Sequence, residues 1–326
     1  MSSQGSSLSR DLSPRSPETF GFEDILYRKE GWVATVTFNR PKVYNSYRTQ
    51  TLIELKEAFR DASVDDAVAV VVVTGAGDKA FCTGGDVKEY AETYTKRPAE
   101  YWKYMNEFVA AHDQLRGCGK ATVARVNGVV AGGGNEFHMA CDLSVAVEHA
   151  EFLQVGTKVG SVAAGGATQW LPLMIGDRRA REMLLLCERV DARKALAWGL
   201  VNQVVPAEGL DAAVGVLCEK LADKFPESTR YTKQQVNFWK DFAWSQTVGH
   251  ARDWLSVHFA TQEPYEGMRA FVEKRPARVR EMRKERAAGG SPEFLWGPHS
   301  RACASCGAVG LPESFAFCGR CGTPLG

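Results

Sequence analysis

The sequence predicts an α/β domain whose second half is mainly helical, followed by a small cysteine-rich unit. Three observations carry that expectation. Short β-branched runs alternate with segments of helical apolar spacing in the first half of the chain. After Asp177 the helical spacing dominates. The last 24 residues hold four cysteines in the pattern CxxC, eleven residues, CxxC.

Taken in order, Trp32–Phe38 (WVATVTF) reads as a strand stopped by Asn39 and Pro41. Gln50–Ala62 reads as a helix with Leu52, Ile53, Leu55, Ala58 and Phe59 on one side. Val68–Thr74 is a continuous β-branched run, the signature of a strand covered on both faces. Ala121–Val126 and Leu143–Val147 read as two further strands, with a helix between them that starts near the glycine triplet Gly132–Gly134. This alternation predicts a layered α/β fold with crossover connections. Six helices are then expected: Arg178–Cys187, Ala192–Trp198, Leu210–Lys224, Thr229–Trp239, Val248–Thr261 and Pro264–Glu273, with a short strand within Gly199–Val205. No internal repeat is visible. The expected organisation is a disordered Ser/Pro-rich tail over 1–20, a main domain over 21–275, a solvated helix and a Gly/Pro-rich linker over 276–300, and the cysteine unit over 301–326.

Hydrophobic residues make up 44% of the chain and charged residues 24%, enough for a sizeable core in a soluble globular protein. Forty basic residues against 39 acidic ones leave a formal net charge of +1, which excludes the strong basic field of a nucleic-acid or anionic-membrane binder. No secretory h-region and no membrane-length apolar run is present, so a cytoplasmic location is expected. Cys82, Cys118, Cys141, Cys187 and Cys218 are scattered in apolar segments and read as small buried hydrophobes of a reduced protein.

Two glycine-rich loops are candidate sites. Lys79–Tyr90 (KAFCTGGDVKEY) follows the VVVV strand, and Val129–Phe137 (VVAGGGNEF) follows the ATVARV strand. Both lie at C-terminal ends of expected strands, where α/β sheets place ligands. Glycines there leave backbone N–H groups open at a helix start, and two such loops side by side could aim two donors at one oxygen. Tight turns that merely pack helices on strands are the alternative. Neither loop is a phosphate motif, since GxxxxGK[ST] and a GxGxxG run with its distal acid are both absent.

NRPKVYNS (Asn39–Ser46), KAFCTGGD (Lys79–Asp86), NGVVAGGGNEFHMACDLSVA (Asn127–Ala146) and KALAWGLVNQVVP (Lys194–Pro206) occur in that order. Together they resemble the crotonase, or enoyl-CoA hydratase/isomerase, superfamily, and the resemblance spans roughly Phe22 to Pro276. It implies a spiral of ββα units followed by a helical C-terminal region that builds trimers or pairs of trimers, and the layered expectation yields to that. It further implies that the backbone N–H groups of Gly85 and Gly133 hold the thioester oxygen of an acyl-CoA, with Glu136 as the acid/base. The second glutamate of the family's hydratases falls on Gly156. The ring-closing synthases of the superfamily have an aspartate where this chain has Ala163 and a tyrosine where it has Phe259. A branch that opens the rings of cyclic oxo-enoyl-CoA thioesters is similar in its glutamate after GGG and in the run GSVAAGGAT followed by LPLMIG.

The reaction implied is therefore water addition through a thioester enolate, most nearly a ring-opening hydrolysis. Enoyl-CoA hydration or isomerisation is the alternative, and a catalytically inactive acyl-CoA-binding scaffold is the alternative of another class. Gln154, Thr157, Ser161, Thr168 and Gln169 are candidates to position water or a ring carbonyl. Arg40, Lys42, Arg48 and Lys88 are candidates for the phosphates of coenzyme A, which need cations. His138 is expected to be a buried, satisfied histidine. Cys303, Cys306, Cys318 and Cys321 have the spacing of a four-cysteine zinc ribbon, with Gly307 and Gly322 at the knuckle turns. Four thiolates close the site, so the zinc would be structural, and the unit is a candidate protein contact rather than a nucleic-acid reader, since its only cations are Arg301 and Arg320.

Overall fold

The structure is a computed structural model that describes residues 13–290, 293 and 301–325. The first part of the expected tail and most of the expected linker lie outside the described residues. Residues 13–20 do make contacts. The Arg15 N–H donates to Asp61 Oδ1 at 2.6 Å, and Phe20 stacks on Phe22 with centroids 4.8 Å apart. The aromatic ring supplies the apolar area that the Ser/Pro composition of the segment hid.

Two sheets organise the domain. The larger contains β1 (Ile25–Glu30), β2 (Val33–Phe38), β3 (Val70–Gly75), β5 (Ala121–Val126), β7 (Leu143–Val147) and β10 (Gln203–Val205), in the order β1-β2-β3-β5-β7-β10. The smaller contains β4 (Ala80–Cys82), β6 (Val129–Ala131), β8 (Glu151–Leu153) and β9 (Val190–Asp191), in the order β4-β6-β8-β9. β1 and β2 form an antiparallel hairpin, whereas β2, β3, β5, β7 and β10 run parallel. All six residues of β3 are buried, as its unbroken Val run requires of a strand covered on both faces.

A repeat organises this topology although none is legible in the sequence. β3 leads to β4 and then helix Pro98–Arg116; β5 leads to β6 and then helix Gly133–Ala140; β7 leads to β8 and then helix Ala167–Ile175. Each turn of this ββα spiral puts its long strand in one sheet and its three-residue strand in the other. The short strands carry too few residues for a period-two pattern to announce them.

Helix Thr49–Val64 and helix Ala192–Trp198 form where the apolar spacing places them. The helix expected over 178–187 does not run through. It is α-helical over Asp177–Arg181, widens into a π-type turn over Glu182–Leu186 and stops at Cys187, whose φ is 56°. The expected helices over 229–239 and 248–261 are Pro226–Val236 and the long Phe238–His258. Among the described residues no helix is long and apolar enough to cross a membrane.

The chain divides into two compact units. One comprises the chain up to Asp86 together with Trp102–Thr157 and Val162–Asp253, and holds both sheets. The other comprises Val87–Tyr101, Lys158–Ser161 and the chain from Trp254 onward. In it Tyr101 stacks on Phe259 with centroids 3.7 Å apart, and the Arg275 guanidinium grips both oxygens of Glu266 at 2.5 and 2.9 Å. Helix Val279–Ala287 buries no residue and is exposed except at the half-buried Met282, as its Arg/Lys/Glu composition anticipates.

Two buried asparagines fix the crossing from β3 to β4, which aims the first glycine loop. Asn127 Nδ2 donates to the carbonyls of Gly75, Gly77 and Ala80, and its Oδ1 accepts from the Gly75 N–H at 3.1 Å. Asn45 Nδ2 donates to the carbonyls of Ala76 and Ala80, and its Oδ1 accepts from the Arg40 N–H. Replacing Asn127 by Leu keeps the approximate volume and strips the turn of its partners. Each buried group left unpaired costs about 1–3 kcal/mol, so the Asn127→Leu protein is expected to unfold at lower denaturant than wild type by an amount equivalent to at least about 2 kcal/mol. An unchanged midpoint in urea would show that water replaces the side chain.

Candidate active site

Strands β4 and β6 lie side by side and parallel, so the two glycine loops leave the small sheet at the same end. The first loop is pinned by Tyr47. The Tyr47 N–H donates to the Gly84 carbonyl at 2.9 Å, and the Asp86 N–H donates to the Tyr47 carbonyl at 2.8 Å. In an extended chain successive N–H groups point to opposite sides, so the Gly85 N–H faces away from Tyr47. It has no acceptor among the described residues.

The second donor opens helix Gly133–Ala140. Gly132 precedes it with φ 52°, and the Gly133 N–H is one of the orphan donors of a helix start. It too has no acceptor among the described residues. The loops touch backbone to backbone. Gly84 has φ 89°, and a Cβ on it would sit 3.1 Å from both the Gly133 nitrogen and the Ala131 carbonyl oxygen. A Cβ on Gly134 would overlap the Cys82 carbonyl. Gly85 and Gly133 are both half-buried, so each backbone keeps a solvent-facing side.

Glu136 lies on the first turn of that helix and is 2% exposed. Its Oε1 accepts from the N–H groups of Gly165 at 2.7 Å and Ala167 at 3.1 Å. Burial pushes its carboxyl up to about 7, against the pull of those two donors. His138 is the structural residue the sequence suggests. Its Nε2 meets Ser144 Oγ at 2.8 Å, its Nδ1 meets Asn135 Oδ1 at 3.2 Å, and burial lowers it to about 3.

Of the other candidates, Gln154, Thr157 and Thr168 line one pocket. Gln154 is buried and its Nε2 reaches the Gly132 carbonyl at 3.4 Å. Thr168 is exposed, with its Oγ1 on Gln169 Oε1 at 2.9 Å, and Gln169 Nε2 donates to Thr247 Oγ1 at 2.8 Å. Gln154, Gly156 and Thr168 share the wall of a pocket of about 300 Å³ with Ala163, Leu184 and Leu185. Glu136, Gly85 and Gly133 are not in that wall. The Thr157 hydroxyl is turned to the Leu184 carbonyl at 3.1 Å.

Arg40 is occupied. Its guanidinium pairs with Asp86 at 2.9 Å and donates to the Ser46 carbonyl at 2.6 Å, which clasps the Gly85 loop to the Asn39–Ser46 turn. Arg48 pairs with Asp24 at 2.7 Å. Lys42 is exposed on the short turn Pro41–Val43. Lys88 is exposed, 3.9 Å from Glu92, and belongs to the second unit. Tyr47, Asn45 and Asn127 are the residues that sequence reasoning left without a role. All stand in or beside the quoted motifs, and their polarity within runs that fold into the core was the available signal.

In the second unit the sulfur atoms of Cys303, Cys306, Cys318 and Cys321 lie within 4.8 Å of one another. Cys303 Sγ to Cys321 Sγ and Cys306 Sγ to Cys318 Sγ are each 3.6 Å. That is close to the edge of a tetrahedron built on a metal–sulfur distance of about 2.3 Å. Gly307 and Gly322 return N–H groups to the carbonyls of Cys303 and Cys318 at 2.9 and 2.8 Å, with φ of 69° and 74°, which forms both knuckle turns. The four thiols could hold a metal ion. The five remaining cysteines are free, and Cys187 alone among them is not fully buried.

Known proteins resemble this chain in sequence and in fold. Residues 28–282 match the family model described as enoyl-CoA hydratase/isomerase. The chain is 39% identical over 290 residues to a 6-oxocyclohex-1-ene-1-carbonyl-CoA hydrolase of Geobacter metallireducens, covering 74% of this chain and 76% of that one. It is 38% identical over 288 residues to the hydrolase of the same name from Thauera aromatica, covering 73% and 76%. An enoyl-CoA hydratase structure from Mycobacterium avium subsp. paratuberculosis superposes with a TM-score of 0.71 at 29% identity, over 78% of this chain and 98% of that one. The chain is thus an enzyme of the crotonase superfamily and belongs to the enoyl-CoA hydratase/isomerase family.

Proposed function

We propose that this enzyme opens a cyclic β-oxo acyl-CoA by adding water, with Glu136 as general base and the N–H groups of Gly85 and Gly133 holding the thioester oxygen. One observation carries the reading. A buried carboxyl pushed up to about 7 stands on the first turn of a helix whose leading N–H has no acceptor among the described residues. The names of the two hydrolase relatives support the ring-opening reaction. Gly156 supports it as well, because a two-carboxylate hydration site lacks its second member there.

In this mechanism Glu136 takes a proton from water, and the resulting hydroxide oxygen adds to the ring ketone β to the thioester. The bond between that carbon and the α-carbon breaks, and its electron pair moves onto the α-carbon and the thioester oxygen as an enolate. Two preorganised N–H donors stabilise that charge, each by about 3 kcal/mol in comparable sites. Glu136 returns its proton to the α-carbon, leaving an open chain that ends in a new carboxylate. A ring that also carries an α,β double bond takes up one water there first, through the same enolate. Simple enoyl-CoA hydration or isomerisation is the second reading, favoured by the enoyl-CoA hydratase named above.

Lys42 and Lys88 are the exposed cations proposed for the phosphates of coenzyme A, and Arg40 acts by holding the Gly85 loop. Gln154 and Thr168, with Gln169 behind them, are proposed to line the acyl side. A homo-oligomer, a trimer or a pair of trimers, is proposed to cover the exposed Phe225, Phe238, Trp239 and Phe242. Zinc is proposed for the four cysteines, since tetrathiolate sites of this spacing suit it and a unit of this size has little core of its own.

Mass analysis of the acyl product decides between the readings. A cyclic oxo-enoyl-CoA is expected to gain two waters, and crotonyl-CoA to remain largely unchanged. A gain of one water on crotonyl-CoA alone would favour the hydratase. Glu136→Gln is expected to bind CoA thioesters as wild type does and to lose turnover by about 10²- to 10⁴-fold; full turnover in that variant would overturn the mechanism. Because the base must be ionised and its pKa is raised to about 7, kcat/KM is expected to fall as pH drops through about 7 and to level off above it. For the ribbon, native mass spectrometry is expected to find one zinc per chain, lost on replacing Cys306 by Ser with little effect on turnover.

A further inference from the structure

The turn that holds Glu136 is built in a way only glycine permits. Gly165 and Ala167 donate their N–H groups to the same oxygen, Oε1, at 2.7 and 3.1 Å. A Cβ on Gly165 would lie 2.5 Å from the Phe108 ring and 2.6 Å from Oε2 of Glu136 itself. Gly166 has φ 111°, a conformation side chains rarely adopt, and a Cβ there would overlap the ring of Trp170. The ring cannot easily give way, because Trp170 is fully buried and its Nε1 reaches the Lys240 carbonyl at 3.3 Å. Past the turn the Gly166 carbonyl accepts from the N–H groups of Gln169 and Trp170 at 3.1 and 2.7 Å, so the turn is locked to the start of helix Ala167–Ile175.

We propose that Gly165 and Gly166 are positioning residues for Glu136: with glycine at both, the turn lays two backbone N–H groups on one carboxylate oxygen and keeps a fully buried carboxyl available as a base. The inference rests on the reading of Glu136 as the base. Donors to the ionised form favour it, so the turn offsets part of what burial does in the opposite direction. Charged neighbours do not perform this work. Helix Pro98–Arg116 brings Phe108 and His112 to this region, and His112 is held neutral by burial, its ring stacked on Phe137 at 3.9 Å. His138 on the same helix as Glu136 is turned to Ser144, and Lys240 is turned to the Met139 carbonyl at 3.2 Å. The influences on Glu136 are burial and the N–H groups of Ala167 and Gly165.

Titration of the Glu136 carboxyl by ¹³C NMR, assigned with Glu136→Gln, reads this directly and without turnover. Ala167→Pro removes one of the two donors at the first position of a helix, where proline is tolerated. Gly165→Ala displaces the other. Gly215→Ala is the control, a glycine within helix Leu210–Ala222 with no atom within 4 Å of an added Cβ. In Ala167→Pro and Gly165→Ala the titration and the acidic limb of kcat/KM are expected to move up together by about one to two pH units, the equivalent of one hydrogen bond to a charged group, and in Gly215→Ala to stay at the wild-type position. A folded Ala167→Pro protein whose Glu136 titrates as in wild type overturns the proposal. So does a wild-type protein whose Gly165 and Ala167 amides are protected from exchange equally above and below the titration of Glu136, a measurement that needs no variant to fold. A moved titration with full activity in Glu136→Gln would instead uphold the positioning and remove the base from the mechanism.

Discussion

The site depends on one close approach, that of the backbone at Gly84–Gly85 to the backbone at Gly132–Gly133. No side chain fits between them: a Cβ on Gly84 would already press on the Gly133 nitrogen, and one on Gly134 would overlap the Cys82 carbonyl. Parallel pairing of β4 with β6 brings the two loops to the same end of the small sheet. The Tyr47 bridge then turns the Gly85 N–H outward, and the helix start does the same for Gly133. The ββα spiral, the buried asparagines and the Arg40–Asp86 clasp all serve to hold this contact. Donors fixed in advance cost no reorganisation when charge develops on a thioester oxygen, which is where their catalytic value lies.

Around that contact the electrostatics are sparse. Glu136 is the ionisable group beside the donors, and its basicity is a balance between burial, which favours the neutral acid, and two backbone N–H groups, which favour the anion. Where the family resemblance places a second hydratase carboxylate, Gly156 lies in the wall of a largely apolar pocket. The cations closest in sequence to the first motif are divided between tasks. Arg40 and Arg48 are tied to Asp86 and Asp24, while Lys42 is left exposed. A site of this kind suits chemistry in which one base serves both water and the α-carbon, and in which most of the barrier is lowered by the thioester oxygen's surroundings.

The four-cysteine unit follows a different physical logic. Its four thiols lie within 4.8 Å of one another and could hold a metal ion, and the knuckle glycines satisfy the turns.

The sequence alone determined the long elements and the chemistry-bearing letters. The Val run of β3, strands β5 and β7, helix Ala192–Trp198, the glycine loops, Glu136 and the cysteine spacing are local patterns, and local patterns survive in one dimension. Only the tertiary structure decided the rest. The three-residue strands β4, β6 and β8 exist because neighbours pair with them, so no period could announce them. The pairing of Arg40 with Asp86, 46 residues away, is likewise made only in the fold. Asn45, Tyr47 and Asn127 acquired their roles from turns distant in the chain, and the Gly165–Ala167 donors reach Glu136 across 29 and 31 residues. A hydrogen bond over such a separation leaves no trace in composition or spacing. It is made by the fold, and here it sets the surroundings of a buried glutamate on a helix.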